Sequence, residues 1–246
     1  MQKPIYIGGS KTLTTMKKSI AGLLILMLAL VAIPLKAEKD VRKVDTFTAV
    51  SLGVAADVYI QQGSTQSLEL RGDEEDLERI ETEVVNGRLK IKTNKSWGWS
   101  WRSGRIEIFI TVKDLDGLSV SGSGKIITED RFSTDRMRLN VSGSGRIQAN
   151  IDAKEVDIDI SGSGSVTLRG KSENSTVDIS GSGRLSALEH TGDLYDIHIS
   201  GSGSAKINVE QAIYASISGS GSVRYTGNPD KVRSKVSGSG SVKSMN

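Results

Sequence analysis

The chain has 246 residues, a formal net charge of +3, 27 glycines and no cysteine. The lack of cysteine excludes disulfides and thiol chemistry, and His190 and His198, the only histidines, are too few for a structural zinc site. The first 37 residues hold five lysines and no acid, leaving 27 basic against 29 acidic residues beyond them, so the basic charge gives no support for nucleic-acid binding.

Met16, Lys17 and Lys18 make a basic start, Ile20 to Ile33 is a fourteen-residue apolar run, and Pro34 to Ala37 ends in a small residue suited to cleavage. This order reads as a secretory signal peptide over residues 1–37, with Met16 a candidate start and Met1 to Thr15 an upstream extension. The run is shorter than the roughly 20 residues that span a bilayer, so no membrane span is expected after signal removal. Export without disulfides points to a bacterial envelope, with the protein periplasmic, on the outer surface or extracellular.

Residues 38–116 read as a β-rich but unrepetitive part. Short strand patterns occur at Val50 to Leu52, Val58 to Ile60, Leu68 to Leu70, Leu89 to Ile91 and Ile106 to Val112. Asp73 is placed to cap a brief helix through Glu81, with Leu77, Ile80 and Val84 on one face, and Asn86-Gly87 signals a tight turn. This part is expected to begin a solenoid and cover its first coil, since a bare coil exposes a strand edge. Within it, KSWGWSWRSG gathers all three tryptophans, Trp97, Trp99 and Trp101. An extended segment would put the rings on one side as a platform for sugar or an apolar partner; a loop folded back would bury them.

Residues 117–246 are organised by Ser-Gly-Ser-Gly, which begins at Ser121, Ser142, Ser161, Ser180, Ser200, Ser218 and Ser237, at spacings of 21, 19, 19, 20, 18 and 19. A Gly-Ser linker would not keep apolar residues in register over seven repeats, whereas a solenoid must. Apolar residues alternate before each phrase, as in Leu139 and Val141 or Ile158 and Ile160, and resume in the same parity after it at Ile147 and Val166. The reading is an all-β fold: a parallel β-helix of seven coils, right-handed because parallel crossovers nearly always are. Carrying the alternation straight through the phrase puts both glycines inward: Gly122, Gly124, Gly143, Gly145, Gly162, Gly164, Gly181, Gly183, Gly201, Gly203, Gly219, Gly221, Gly238 and Gly240.

The signal peptide, the opening FTAVSLGVAADVYI from Phe47 to Ile60, the short acidic helix, Asn86-Gly87-Arg88-Leu89-Lys90-Ile91 and the repeated V/I-S-G-S-G together resemble the bacterial family of auto-transporter adhesins, head GIN domain. The resemblance covers essentially the whole chain beyond the signal. It implies an exported all-β solenoid with an adhesive role. The residues up to Asn246 carry no amphipathic barrel strands, so self-translocation is not part of the expectation.

Phosphate loops, nucleophile elbows and zincin motifs are missing, and no cofactor or resident metal is expected. One outward column stands out. In-register stacking puts Asp159, Asp178 and His198 at neighbouring positions, with Asp157 and Asp196 two residues earlier on the same face. Carboxylates beside a histidine suit cation binding or acid–base work on a glycan, although a solvated strand face carries such residues for solubility alone. The favoured function is non-enzymatic surface attachment through a glycan or cell-surface protein; the alternatives are a polysaccharide-processing β-helix enzyme and a structural envelope protein. The last coil lacks a cap in the sequence, which predicts a homodimer through solenoid ends or a returning earlier segment.

Overall fold

Period-two alternation of aliphatic and polar residues drives nearly all of the described chain into strands, because each strand then has one face to bury and one to solvate. The structure, a computed structural model, describes residues 2, 38–94 and 105–245. The chain is a β-solenoid of about seven turns. Its repetitive part runs through β8 (Gly117–Gly122), β9 (Lys125–Gly143), β10 (Arg146–Gly162), β11 (Ser165–Gly181), β12 (Arg184–Gly201), β13 (Ser204–Gly219), β14 (Ser222–Thr226), β15 (Lys231–Ser237) and β16 (Ser241–Ser244). Each coil pairs parallel with the next, and the repeated phrase aligns with itself along Ser121, Ser142, Ser161, Ser180, Ser200, Ser218 and Ser237. The unequal repeat lengths are absorbed at bulges, such as those between Gln148 and Asn150 and between Ala187 and Thr191.

The inward columns form one continuous core. Leu118, Leu139, Ile158, Val177, Ile197 and Ala215 stack along one ladder, and Val120, Val141, Ile160, Ile179, Ile199 and Ile217 along the next, all buried. Burying one such aliphatic side chain contributes about 1.5–3 kcal/mol.

The phrase itself corrects one expectation. Gly124, Gly145, Gly164, Gly183, Gly203 and Gly221 are buried, but Gly122, Gly143, Gly162, Gly181, Gly201, Gly219 and Gly238 are exposed or half-exposed. These first glycines adopt φ between 102° and 118°, turning a corner that a straight extended strand does not make. A Cβ on Gly162 would lie 2.7 Å from the Gly143 carbonyl oxygen of the previous coil. The first glycine is therefore required by left-handed backbone and close coil stacking, and not by the interior. The same carbonyls carry the ladder around the corner, as when the Ser163 amide donates to Gly143 O at 2.8 Å.

The first part comprises β1 (Glu38–Arg42), β2 (Ala49–Leu52), β3 (Asp57–Gln62), β4 (Ser67–Gly72), α1 (Glu74–Leu77), β5 (Ile80–Val85), β6 (Arg88–Thr93) and β7 (Glu107–Val112). The β2 and β3 coil is sandwiched: β2 pairs with both β6 and β8, and β3 with both β7 and β9. One face thus ends at β5, antiparallel to β6, and the other at β1, antiparallel to β4. The helix is shorter than the sequence suggests. Ile80 and Val84 belong to β5, because the turn at Asn86 (φ 51°) and Gly87 (φ 71°) folds that segment back on β6 as a hairpin. Arg42 ties the two faces at this end, donating to the Ile80 carbonyl at 2.6 Å and the Leu77 carbonyl at 2.9 Å.

Candidate functional site

Four coils, β10 to β13, build one outer face just before the glycine corner. Their register places Asp159 beside Asp178, Asp178 beside His198, and His198 beside Ser216. Serines of the repeated phrase, Ser161, Ser180, Ser200 and Ser218, run alongside, and the two rows line a groove of about 330 Å³. These side chains are polar and outward because the alternate positions are committed to the core.

The charges on this face are unequally answered. Asp157 is held by Arg136, whose Nε lies 2.7 Å from Oδ2. His198 Nδ1 stands 3.7 Å from Asp196 and 3.9 Å from Asp178, beyond hydrogen-bond length but within charge-pair range. Desolvation, then the neighbouring carboxylates of Asp178 and Asp157, hold the Asp159 carboxyl above its ordinary value. Asp157 and Asp196 share the face but are separated by Thr176 in the intervening coil. Among the described residues, no three His, Cys, Asp or Glu side chains are arranged to hold a metal ion, so the cation half of the sequence reading gains nothing from the geometry. Trp97, Trp99 and Trp101 lie outside the described residues.

The comparisons with known proteins bear on the whole solenoid. The family described as putative auto-transporter adhesin, head GIN domain, matches residues 46–229. The chain belongs to this family. The solved structure of a putative adhesin from Bacteroides fragilis is similar, with 22% identity and a TM-score of 0.78, covering 86% of this chain and 98% of that one. The solved structure of a putative lipid binding protein from Parabacteroides distasonis is similar at 22% identity and a TM-score of 0.69, covering 87% of this chain and 98% of its own. At these identities the likeness shows the shared fold. No curated protein matches the chain.

Sequence reasoning missed a second polar cluster, inside the core of this family member. His190 is fully buried and its Nδ1 lies 2.9 Å from the hydroxyl of Tyr195, while Ser172 and Ser175 share a hydrogen bond of 2.8 Å beside them. Burial pushes the His190 imidazole down to about 4 against a weaker upward pull from Asp152, and pushes the Tyr195 phenol up. Space for the tyrosine comes from Gly192, where a Cβ would lie 2.5 Å from the ring. The available signal was positional: register puts His190 in one column with the buried Phe132 and Ile151, separated from them by Gly170, so a histidine takes a core position.

Proposed function

We propose that the chain is an exported, non-enzymatic attachment protein whose contact surface is the outer face bearing Asp159, Asp178, His198 and the adjoining serines. The observation that carries this reading is the groove along four consecutive coils, which repeats carboxylate, imidazole and hydroxyl groups at strand spacing. Its polar side chains all come from one sheet face, with Ile160, Ile179 and Ile199 forming the strand between the two rows, an arrangement that suits an extended ligand such as a glycan chain or a cell-surface protein strand. Walls on several sides, which acid–base catalysis uses to exclude water, are not contributed by these residues. Membership in a family described as adhesins agrees with attachment. The tryptophans Trp97, Trp99 and Trp101 are proposed as a second contact, and residues 1–37 as the export signal, removed after Ala37.

The test applies the full chain to intact bacterial and host cells and to an array of polysaccharides, scoring both retention and chain shortening. Retention without shortening is expected, and replacing Asp159 and Asp178 together by Asn should lower it at least tenfold. Shortening by the wild-type chain would establish the enzyme alternative instead. Unchanged retention in the double variant would move the contact off this face. Replacing the three tryptophans by Ser, with melting followed in parallel, separates an exposed platform from a buried loop. Mass spectrometry of the exported protein should find Glu38 at its N-terminus.

A further inference from the structure

Six large hydrophobic side chains are exposed among the described residues: Val41, Val85, Leu188, Val232, Val236 and Met245. Five of them lie at the two ends of the solenoid. Val41 is on β1 and Val85 on β5, the strands that close the two faces at the first end, while Val232, Val236 and Met245 belong to the last coil. Val232 and Val236 continue the core ladders of Ile213 and Ile217, and no described strand lies on the far side of β15 or β16. Each end therefore presents unpaired backbone donors and acceptors next to apolar side chains.

The ends differ in charge. The last coil exposes Lys231, Arg233, Lys235 and Lys243 against the single acid Asp230. The first end exposes Glu74, Glu75, Glu78, Glu81 and Glu83 on and beside α1 and β5, with Arg79 among them and Lys92 bridging Glu83 at 2.8 Å. The sheet order aligns these groups: β5 and β15 terminate the same face, and β1 and β16 the other. Stacking a second copy in line brings Lys231, Arg233 and Lys235 of β15 against the acidic edge of β5.

We propose that copies of this chain associate head to tail, the basic last coil of one seated on the acidic first end of the next. Pairing two last coils would oppose like charges, so a closed dimer through that end is disfavoured. A heterologous contact between opposite ends does not close on itself and produces linear assemblies. The apolar edge residues become buried, the strand edges extend the sheet, and the charges select which end meets which.

Sedimentation velocity of the full chain over a range of concentrations and salt tests this. Species larger than a dimer should grow with concentration and recede as salt rises. Reversing one end, by Arg233→Glu with Lys235→Glu, or the other, by Glu81→Lys with Glu83→Lys, should weaken association at least tenfold. Mixing the two reversed proteins should restore it as an alternating assembly, because each then offers two ends of one sign. Circular dichroism confirms folding, and the neutral pairs Arg233→Gln with Lys235→Gln and Glu81→Gln with Glu83→Gln should weaken association without complementing each other. A chain that stays monomeric at every concentration overturns the proposal. So does association that stops at a dimer and ignores the Glu81 and Glu83 changes, as does failure of the mixed reversed proteins to reassociate.

Discussion

Gly122 and Gly181 share a backbone conformation, each with φ of 103°, but not a neighbour. A Cβ built on Gly122 meets nothing within 4 Å, whereas on Gly181 it falls 2.8 Å from the carbonyl oxygen of Gly162 in the preceding coil. Alanine at either position takes on the left-handed backbone, which costs about 1–3 kcal/mol. At Gly181 the coil spacing must also yield to a backbone atom, adding about 1–3 kcal/mol of overpacking. Gly181→Ala is thus expected to be less stable than Gly122→Ala by at least ~1 kcal/mol. Urea unfolding followed by far-ultraviolet circular dichroism reads the difference as a shift in midpoint at constant slope. Equal losses in the two variants would refute the claim that stacking, beyond dihedral strain, demands glycine at the corner.

His190 titrates near 6.5 when unfolded but at about 4 when buried, so between those values the unfolded chain gains a proton that the native one refuses. Stability should fall by about 3 kcal/mol as pH drops through that window, and His190→Gln should flatten the dependence; an unaltered slope would assign it to another group. Tyr195→Phe removes the phenol that partners His190 and should cost about 1–3 kcal/mol, and an unchanged unfolding midpoint would show that the buried pair contributes nothing. Because Asp159 is held above its ordinary value, the native state binds that proton more tightly, and the stability present in acid is lost as pH rises through the native value. Asp159→Asn should therefore raise the melting temperature at pH 7 and leave it unchanged at pH 3, and a rise at neither pH would show that neither desolvation nor the neighbouring carboxylates penalise the Asp159 charge measurably. Arg42→Ala should free the Leu77 and Ile80 carbonyls and speed amide exchange in β1, α1 and β5, while exchange in β10 to β13 stays as it was; uniform acceleration would contradict the local role of that tie.

The period of the repeated phrase and the aliphatic alternation beside it were enough to read a parallel β-solenoid, because every coil solves the same burial problem and stacking is its only solution. The register that sets Asp159, Asp178 and His198 in successive coils of one column follows from the same spacing, since in-register coils place equivalent residues together. Long-range geometry decided the rest. Alternation assigns a side by counting, and the count fails at Gly122 and its equivalents, where a positive φ rotates one residue outward without disturbing the parity on either side. Nor does local pattern distinguish Ile80 and Val84 on a helix from the same residues on a strand; the hairpin partner β6 settles it. His190 reads as a stray polar residue until the coil stack puts Tyr195 at its Nδ1. The sandwiching of β2 and β3 between β6 and β7 on one side and β8 and β9 on the other, all later in the chain, is likewise absent from any local signal, because it depends on which of two open faces the returning chain covers.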